Sequence, residues 1–293
     1  MNILIFGITG MLGGTMFHVL SSQKNLNVFG TARSNINHKY FKQFNANKII
    51  NNIDVENQDL IIKAFNYAKP DVIINCVGVI KQLSAASDLL TTLPINSMLP
   101  HRLAGLALNS GARLIHYSTD CVFSGKGGNY NEEDQSDCDD LYGRSKLLGE
   151  VVDYPNAVTL RTSIIGHELN SNYSLLDWFL SQEDGSSVKG FTKAIFSGLT
   201  TYEHAKIIAN IVLTNKDLHG LYHVAAEPID KYSLLQLIAK IYNKRITIKP
   251  HDVPVIDRSL DSSKFYEATG YKAPKWENLI EEIYNFKRQE ICL

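Results

Sequence analysis

The chain has 293 residues, enough for one large domain or two small ones, and its apolar and charged fractions, 44% and 20%, are those of a globular protein that buries its own core. Lys and Arg total 29 against 30 Asp and Glu, a net charge of −1, which argues against a nucleic-acid partner and against a polybasic membrane binder. The sequence has no apolar run of about 18 residues, so no membrane span is expected, and residues 1–6 lack the basic flank of a signal peptide. Cys76, Cys121, Cys138 and Cys292 form no C-x-x-C pair. The expectation is reduced thiols in a cytoplasmic protein, with no disulfide frame. The histidines have no metal-ligand spacing, so no catalytic metal is expected.

Residues 2–6 are an apolar strand that stops at Gly7, and residues 12–20 have a helical pattern. A second strand is expected at 27–32, a helix at 58–68 ending before Pro70, and an almost wholly apolar strand at 72–76. A helix follows at 95–109 with Gly111 just beyond it, then a strand at 113–118, a helix at 142–152 and a strand at 157–161. Alternating strands and helices predict an α/β fold, a Rossmann-type doubly wound parallel sheet that binds its ligand at the carboxyl ends of the strands. After Thr162 the rhythm changes. Helices are expected at 175–180, 201–213, 232–242 and 276–286, extended pieces at 194–196 and 245–248, and a strand at 221–225 that returns to the sheet. This divides the chain into a sheet domain over 1–165, completed by about 201–226, and a smaller α/β substrate lobe over 166–200 and 227–293.

Gly7-Ile8-Thr9-Gly10-Met11-Leu12-Gly13-Gly14 leaves the first strand and opens the first helix. Glycines at this spacing permit a tight turn, a close backbone approach to a pyrophosphate and close helix–strand packing, and the helix N-terminus adds free N–H groups and a partial positive charge. Gly7, Thr9, Gly10, Met11, Leu12 and Gly13 are therefore cofactor-binding candidates. The second strand runs into Gly30-Thr31-Ala32-Arg33-Ser34 with no acid. An acid there would bond the ribose 2′-hydroxyl of NAD; Arg33 instead suits a 2′-phosphate. The expected cofactor is NADPH, with NADH as the alternative. The third strand ends in Asn75-Cys76-Val77-Gly78, where Cys76, Val77 and Gly78 bring backbone to the cofactor.

Tyr142 and Lys146 are four residues apart at the start of a helix and so share a face. A close ammonium favours the phenolate, and the expectation is a Tyr142 pKa lowered toward the range useful for general acid–base chemistry. At the end of the fourth strand, Thr119 offers a hydroxyl to a substrate carbonyl, and Asp120 either positions substrate or caps the next turn.

The glycine turn, Asn75-Cys76-Val77-Gly78, Ser118-Thr119-Asp120 and Tyr142-Gly143-Arg144-Ser145-Lys146 occur in the order and spacing of the extended short-chain dehydrogenase/reductases. Within them the chain resembles the dTDP-4-dehydrorhamnose reductase branch, through Ser118-Thr119-Asp120-Cys121-Val122-Phe123-Ser124-Gly125, through Tyr142 to Glu150 and through Leu160-Arg161-Thr162-Ser163. The resemblance is close over the first 165 residues and loose beyond. It implies NAD(P)H-dependent reduction of the 4-keto group of a nucleotide-linked 6-deoxyhexose, in sugar biosynthesis for cell-surface polysaccharide. Thr119, Tyr142 and Lys146 would be catalytic, with Lys146 also binding the nicotinamide ribose, and Asp54 and Val55 would contact adenine.

The chain departs from that branch at Cys121, where the branch has Tyr, and at Ile164, where it has Trp. In that branch both positions line the sugar pocket, which leaves a 2-acetamido sugar as an alternative to dehydrorhamnose. Arg258 is a candidate for the substrate diphosphate, as is Lys189; for both, a solvated surface charge is the competing reading. Two other functions fit the pattern: an epimerase–reductase of the GDP-fucose synthase kind, using Cys121 and an acid such as His167, and a non-catalytic NADP-binding regulatory subunit. A dehydratase would need Glu in place of Cys121. A homodimer is compatible with the sequence, whose surface helices define no interface.

Overall fold

The computed structural model describes residues 1–36, 39–81 and 87–291, so Cys292 lies outside the described residues. Strands β1 (Asn2–Phe6), β2 (Asn27–Thr31), β3 (Ile49–Ile50), β4 (Val72–Asn75), β5 (Arg113–Thr119) and β6 (Ala157–Thr162) alternate with helices α1 (Met11–Ser21), α2 (Gln58–Ala68), α3 (Leu89–Thr92), α4 (Leu99–Ser110) and α5 (Leu141–Leu148). Short strands β7 (Ile164–Ile165), β8 (Ser187–Phe191), β9 (Ala194–Phe196) and β10 (Leu199–Thr200) precede β11 (Gly220–His223). The rest of the chain adds β12 (Ile229–Asp230), β13 (Thr247–His251) and β14 (Ile256–Asp257). Its helices are α6 (Leu175–Leu180), α7 (Thr201–Ile207), α8 (Lys231–Tyr242), α9 (Ser263–Thr269) and α10 (Trp276–Ile291).

Seven strands form one parallel sheet in the order β11-β6-β5-β4-β1-β2-β3. This is the expected doubly wound α/β fold. Strand alternation divides the core into two layers. Ile3, Ile5, Ile74 and Ile115 face a cluster with Phe17 of α1, Ile207 of α7, Leu235 of α8 and Ile280 of α10. Leu4, Phe6, Ile73 and Leu114 face the other way, onto Ile61 of α2 and Leu103 of α4. The strand order reverses between β1 and β4, which opens a crevice at their carboxyl ends.

Before Thr162, three elements differ from the sequence reading. The stretch at 49–53 contributes the edge strand β3, only two residues long and half-buried, which leaves no periodicity to read. The helix expected at 95–109 begins earlier, at Leu89, and passes through a wider turn over Leu93–Met98 before α4. Pro100 has no N–H to give to Asn96, so the regular ladder cannot run through this point. The helix expected at 142–152 ends at Leu148, because Gly149 packs onto the wider turn before α4: a Cβ there would lie 1.9 Å from the Asn96 carbonyl oxygen. Beyond Thr162, β8 pairs in parallel with β13, and β9 pairs with β12 and β14.

A buried polar cluster ties the sheet together behind the crevice. Arg161 of β6 donates from Nε and Nη2 to the two carboxylate oxygens of Glu150, each at 2.7 Å. Ser118 of β5 donates to the same carboxylate at 2.7 Å. Arg161 also stands 3.3 Å from His223 of β11, whose pKa falls to about 4 through burial and the neighbouring guanidinium. Both members of the ion pair are buried, so losing one leaves the other uncompensated. Glu150→Ala is expected to cost about 3–5 kcal/mol in urea unfolding; a loss under about 1 kcal/mol would show that water reaches the pair.

Candidate active site

The crevice is a cleft of about 710 Å³. One wall is the glycine turn. Gly7 has φ +87°, and a Cβ on Gly13 would stand 2.2 Å from the Gly7 carbonyl oxygen, so both positions demand glycine. The first turn of α1 has no side-chain cap and no acidic residue. Its N–H groups and dipole are open to an anion, and these residues fit the pyrophosphate of a dinucleotide.

The segment after β4 is held by Asn96, a buried residue outside the predicted set. Its Oδ1 accepts from Val79 N at 2.8 Å, and its Nδ2 donates to Val79 O and to Ser145 Oγ, both at 3.1 Å. The β4 loop and α5 are thereby fixed to each other.

The opposite wall is the end of β5 with the start of α5. Asp140 caps α5, accepting from Gly143 N at 2.7 Å, and is ion-paired with Lys81 at 2.5 Å. One turn on, buried Lys146 donates from Nζ to the Tyr117 carbonyl at 2.6 Å. Burial lowers its pKa to about 8 against the opposing pull of Glu150 and Cys76. Tyr142 departs from expectation. Removal from water raises its phenol, Cys121, Asp120 and Asp140 raise it further, and a hydrogen bond with Thr119 draws it the other way. The i,i+4 spacing gives the shared face but not the assumed lowering, because dehydration outweighs the one favourable contact.

Thr119 Oγ1 donates to Asp120 Oδ1 at 3.1 Å and accepts from Cys121 N at 3.2 Å. Burial raises Asp120, opposed first by Arg258 and also by Lys231. Burial pushes the Cys121 and Cys76 thiols up to about 12.

The cleft brings together Thr9, Gly10, Met11 and Leu12 from the turn, Cys76, Val77 and Gly78 from the β4 loop, and Thr119, Asp120, Cys121, Tyr142 and Lys146. Ile164 and Arg258 line it as well, and Arg258 Nε donates to the Phe123 carbonyl at 2.7 Å. Gly7 and Gly13 lie beneath the turn rather than on the cleft wall, and Arg33, Asp54 and Val55 are beyond it, past the ends of β2 and β3. Arg33 is exposed, and Asp54 accepts from Glu56 N at 3.0 Å. Lys189 is exposed on β8, away from the cleft. His167 is also off the wall, bonded to Asp177 at 2.7 Å and to the Tyr242 hydroxyl at 2.8 Å. Lys231, the first residue of α8, was missed: after its cap Asp230 it reads as an ordinary solvated helix start, yet it faces Asp120 across the cleft. Among the described residues no group of three or more His, Cys, Asp or Glu is placed to hold a metal ion. No helix among them is long and apolar enough to cross a membrane.

Residues 1–288 match the family model for the RmlD substrate binding domain. The chain belongs to this family. It is 24% identical over 257 residues to the dTDP-4-dehydrorhamnose reductase of Aggregatibacter actinomycetemcomitans, covering 79% of this chain and 86% of that protein. To the enzyme of the same name from Salmonella typhimurium it is 28% identical over 232 residues, covering 77% and 73%. Among solved structures, the dTDP-4-dehydrorhamnose reductase of Bacillus anthracis in complex with NADP shares the fold with a TM-score of 0.78 at 18% identity, over 97% of this chain and 98% of that one. The Clostridium acetobutylicum reductase gives the same TM-score, 0.78, at 22% identity, over 98% and 100%.

The lowered Lys146 pKa has a direct check. In NMR of protein carrying 13Cε-labelled lysine without cofactor, one resonance should titrate near pH 8, losing its ammonium above that value, and it should vanish in Lys146→Met. If every lysine titrates at its ordinary value, near 10.4, the amine is not dehydrated as described.

Proposed function

We propose that this protein uses NADPH, with NADH as a weaker substitute, to reduce the 4-keto group of a nucleotide-linked 6-deoxyhexose: dTDP-4-dehydrorhamnose or a related, 2-acetamido sugar. The step belongs to sugar biosynthesis for cell-surface polysaccharide, in a cytoplasmic setting. The carrying observation is that Thr119, Tyr142 and Lys146 share one cleft with an uncapped glycine turn. The curated relatives named dTDP-4-dehydrorhamnose reductase support the substrate class.

When bound, the cofactor supplies a hydride to the carbonyl carbon. Tyr142, whose phenol burial keeps protonated, holds the proton for the developing alkoxide, and Thr119 offers its hydroxyl to the same oxygen. Lys146 spends one donor on the Tyr117 carbonyl; its other two N–H groups are left for the nicotinamide ribose. Gly7, Thr9, Gly10, Met11, Leu12 and Gly13 would cradle the pyrophosphate, with Cys76, Val77 and Gly78 along its nicotinamide side. Arg33 would pair with a 2′-phosphate, and Asp54 and Val55 would meet the adenine end. Asp120, Cys121, Ile164 and Arg258 would face the sugar nucleotide. Residues 166–200 and 227–293, which carry β8, β9 and β12 to β14, would form the substrate lobe. The epimerising alternative finds no support in the geometry, since His167 lies off the cleft wall, held by Asp177 and Tyr242.

NADPH oxidation with a panel of nucleotide-linked 4-keto sugars tests the reading. Tyr142→Phe should lower turnover about 10²–10⁴-fold with NADPH affinity near that of the wild type; a mild effect removes the phenol from the chemistry. Tight NADP binding without turnover of any sugar would favour a regulatory role. Arg33→Ala should weaken NADPH far more than NADH, and equal losses would mean that this side chain does not read the phosphate.

A further inference from the structure

One wall of the cleft has no regular structure of its own. Residues 166–174 join β7 to α6, and Glu168, Leu169, Asn170, Ser171, Tyr173 and Ser174 line the cleft together with the glycine turn. Leu169 seats against α1, where a Cβ on Gly14 would lie 3.1 Å from its Cδ1. Among the described residues, 167–173 make no backbone–backbone hydrogen bond. Side chains hold the segment instead. Asp177 of α6 accepts from Glu168 N, Glu168 Oε2 accepts from Ser174 N at 2.9 Å, and Ser174 Oγ donates to the Gly166 carbonyl at 3.2 Å. His167 ties this frame to the helices behind it. A carboxylate only accepts, so Nδ1 donates to Asp177 Oδ1, at 2.7 Å. Nε2 shares a 2.8 Å bond with the hydroxyl of Tyr242, the last residue of α8. The Tyr242 ring packs edge-on against Tyr284 of α10, with centroids 4.9 Å apart. The His167 and Asp177 side chains are each 13% exposed, so water competes little for these bonds.

We propose that His167 is a positioning residue that pre-orders the 166–174 wall for the dinucleotide, a role that rests on the cofactor reading above. An irregular segment left to itself is an ensemble. A ligand that needs one member of it loses affinity in proportion to the fraction out of place. The Asp177–His167–Tyr242 chain connects two core helices, α6 and α8, and carries their rigidity to Glu168 and, through Leu169, to the start of α1. His167 does not line the cleft, so it acts through the segment and not by touching cofactor or sugar. Removing the Tyr242 hydroxyl breaks one of its two bonds and leaves the tyrosine ring packed on Tyr284.

The test reads amide hydrogen exchange by NMR and NADPH affinity by nucleotide fluorescence, on the whole chain without sugar. It compares wild type, His167→Ala, Tyr242→Phe and the double variant. In wild type the Glu168 and Ser174 amides should exchange slowly with or without NADPH. In His167→Ala they should exchange at least about 10-fold faster when free and slow again once NADPH binds, with the NADPH Kd raised at least about 5-fold. Tyr242→Phe should shift both readings the same way by less. The double variant should match His167→Ala, because the hydroxyl acts through the imidazole. His167→Ala with wild-type exchange, or with faster exchange and unaltered NADPH affinity, overturns the proposal, as do losses that add in the double variant. If His167→Ala does not fold, Tyr242→Phe decides by the same two readings. Wild type that binds no NADPH overturns the cofactor reading and this role with it; wild type that binds NADPH yet exchanges the segment quickly when free overturns this role alone.

Discussion

The hydrogen bond from Lys146 to the Tyr117 carbonyl holds α5 against the end of β5, and the cleft takes its shape from that contact. The helix has only eight residues and buries few of its own side chains, so hydrophobic packing alone places it weakly. Polar contacts do the rest. Lys146 reaches β5, Ser97 donates to the Ser145 carbonyl at 2.8 Å, and Asn96 bridges Ser145 to Val79. Burying the ammonium is costly, and one charge-assisted bond with the field of Glu150 offsets only part of that cost. The remainder shows as a pKa near 8. The cost of dehydration sits on a group that meets the cleft, while the core layers on either side of the sheet are apolar.

The same dehydration acts in opposite directions on the two sides of the site. It removes charge from an amine and from a phenol alike, so Tyr142 and Lys146 move away from each other in pKa relative to an ion pair in water. A tyrosine that keeps its proton is suited to giving that proton to an alkoxide. The cleft also keeps its thiols uncharged: Cys76 and Cys121 both lie far above neutrality. A small thiol wall beside the carboxyl of Asp120 therefore adds volume and polarisability without competing as a base.

The sheet was legible because its strands are buried on both faces and read as apolar runs, with β1 and β4 the clearest. Glycines marked the turn through chemistry that no other residue supplies, and Tyr142 with Lys146 was legible from helical spacing. The strands after Thr162 were harder. β7, β10, β12 and β14 have two residues each, and a pair of residues has no period. The partners of β8 and β9 come from as far away as residues 247–257, and a local pattern does not encode such pairings. The Tyr142 shift was misjudged for a related reason: spacing reports which side chains share a face, whereas the sign of a pKa depends on how much water the whole fold removes.

Lys231 and Asn96 show where that limit lies. Each belongs to a helix start or a helical run and each matches the local pattern, so nothing in its neighbourhood distinguishes it from a surface residue. Asn96 becomes structural only because Pro100 interrupts the helix ladder beside it and because Val79 and Ser145 arrive from separate elements. Lys231 acquires its role only when α8 is brought to the mouth of β5, opposite Asp120 and beside Arg258. The residues proposed to carry the chemistry were visible in sequence because reactivity restricts residue type. Those that set its electrostatics were not, because a cation at the right distance can come from any element the fold delivers there.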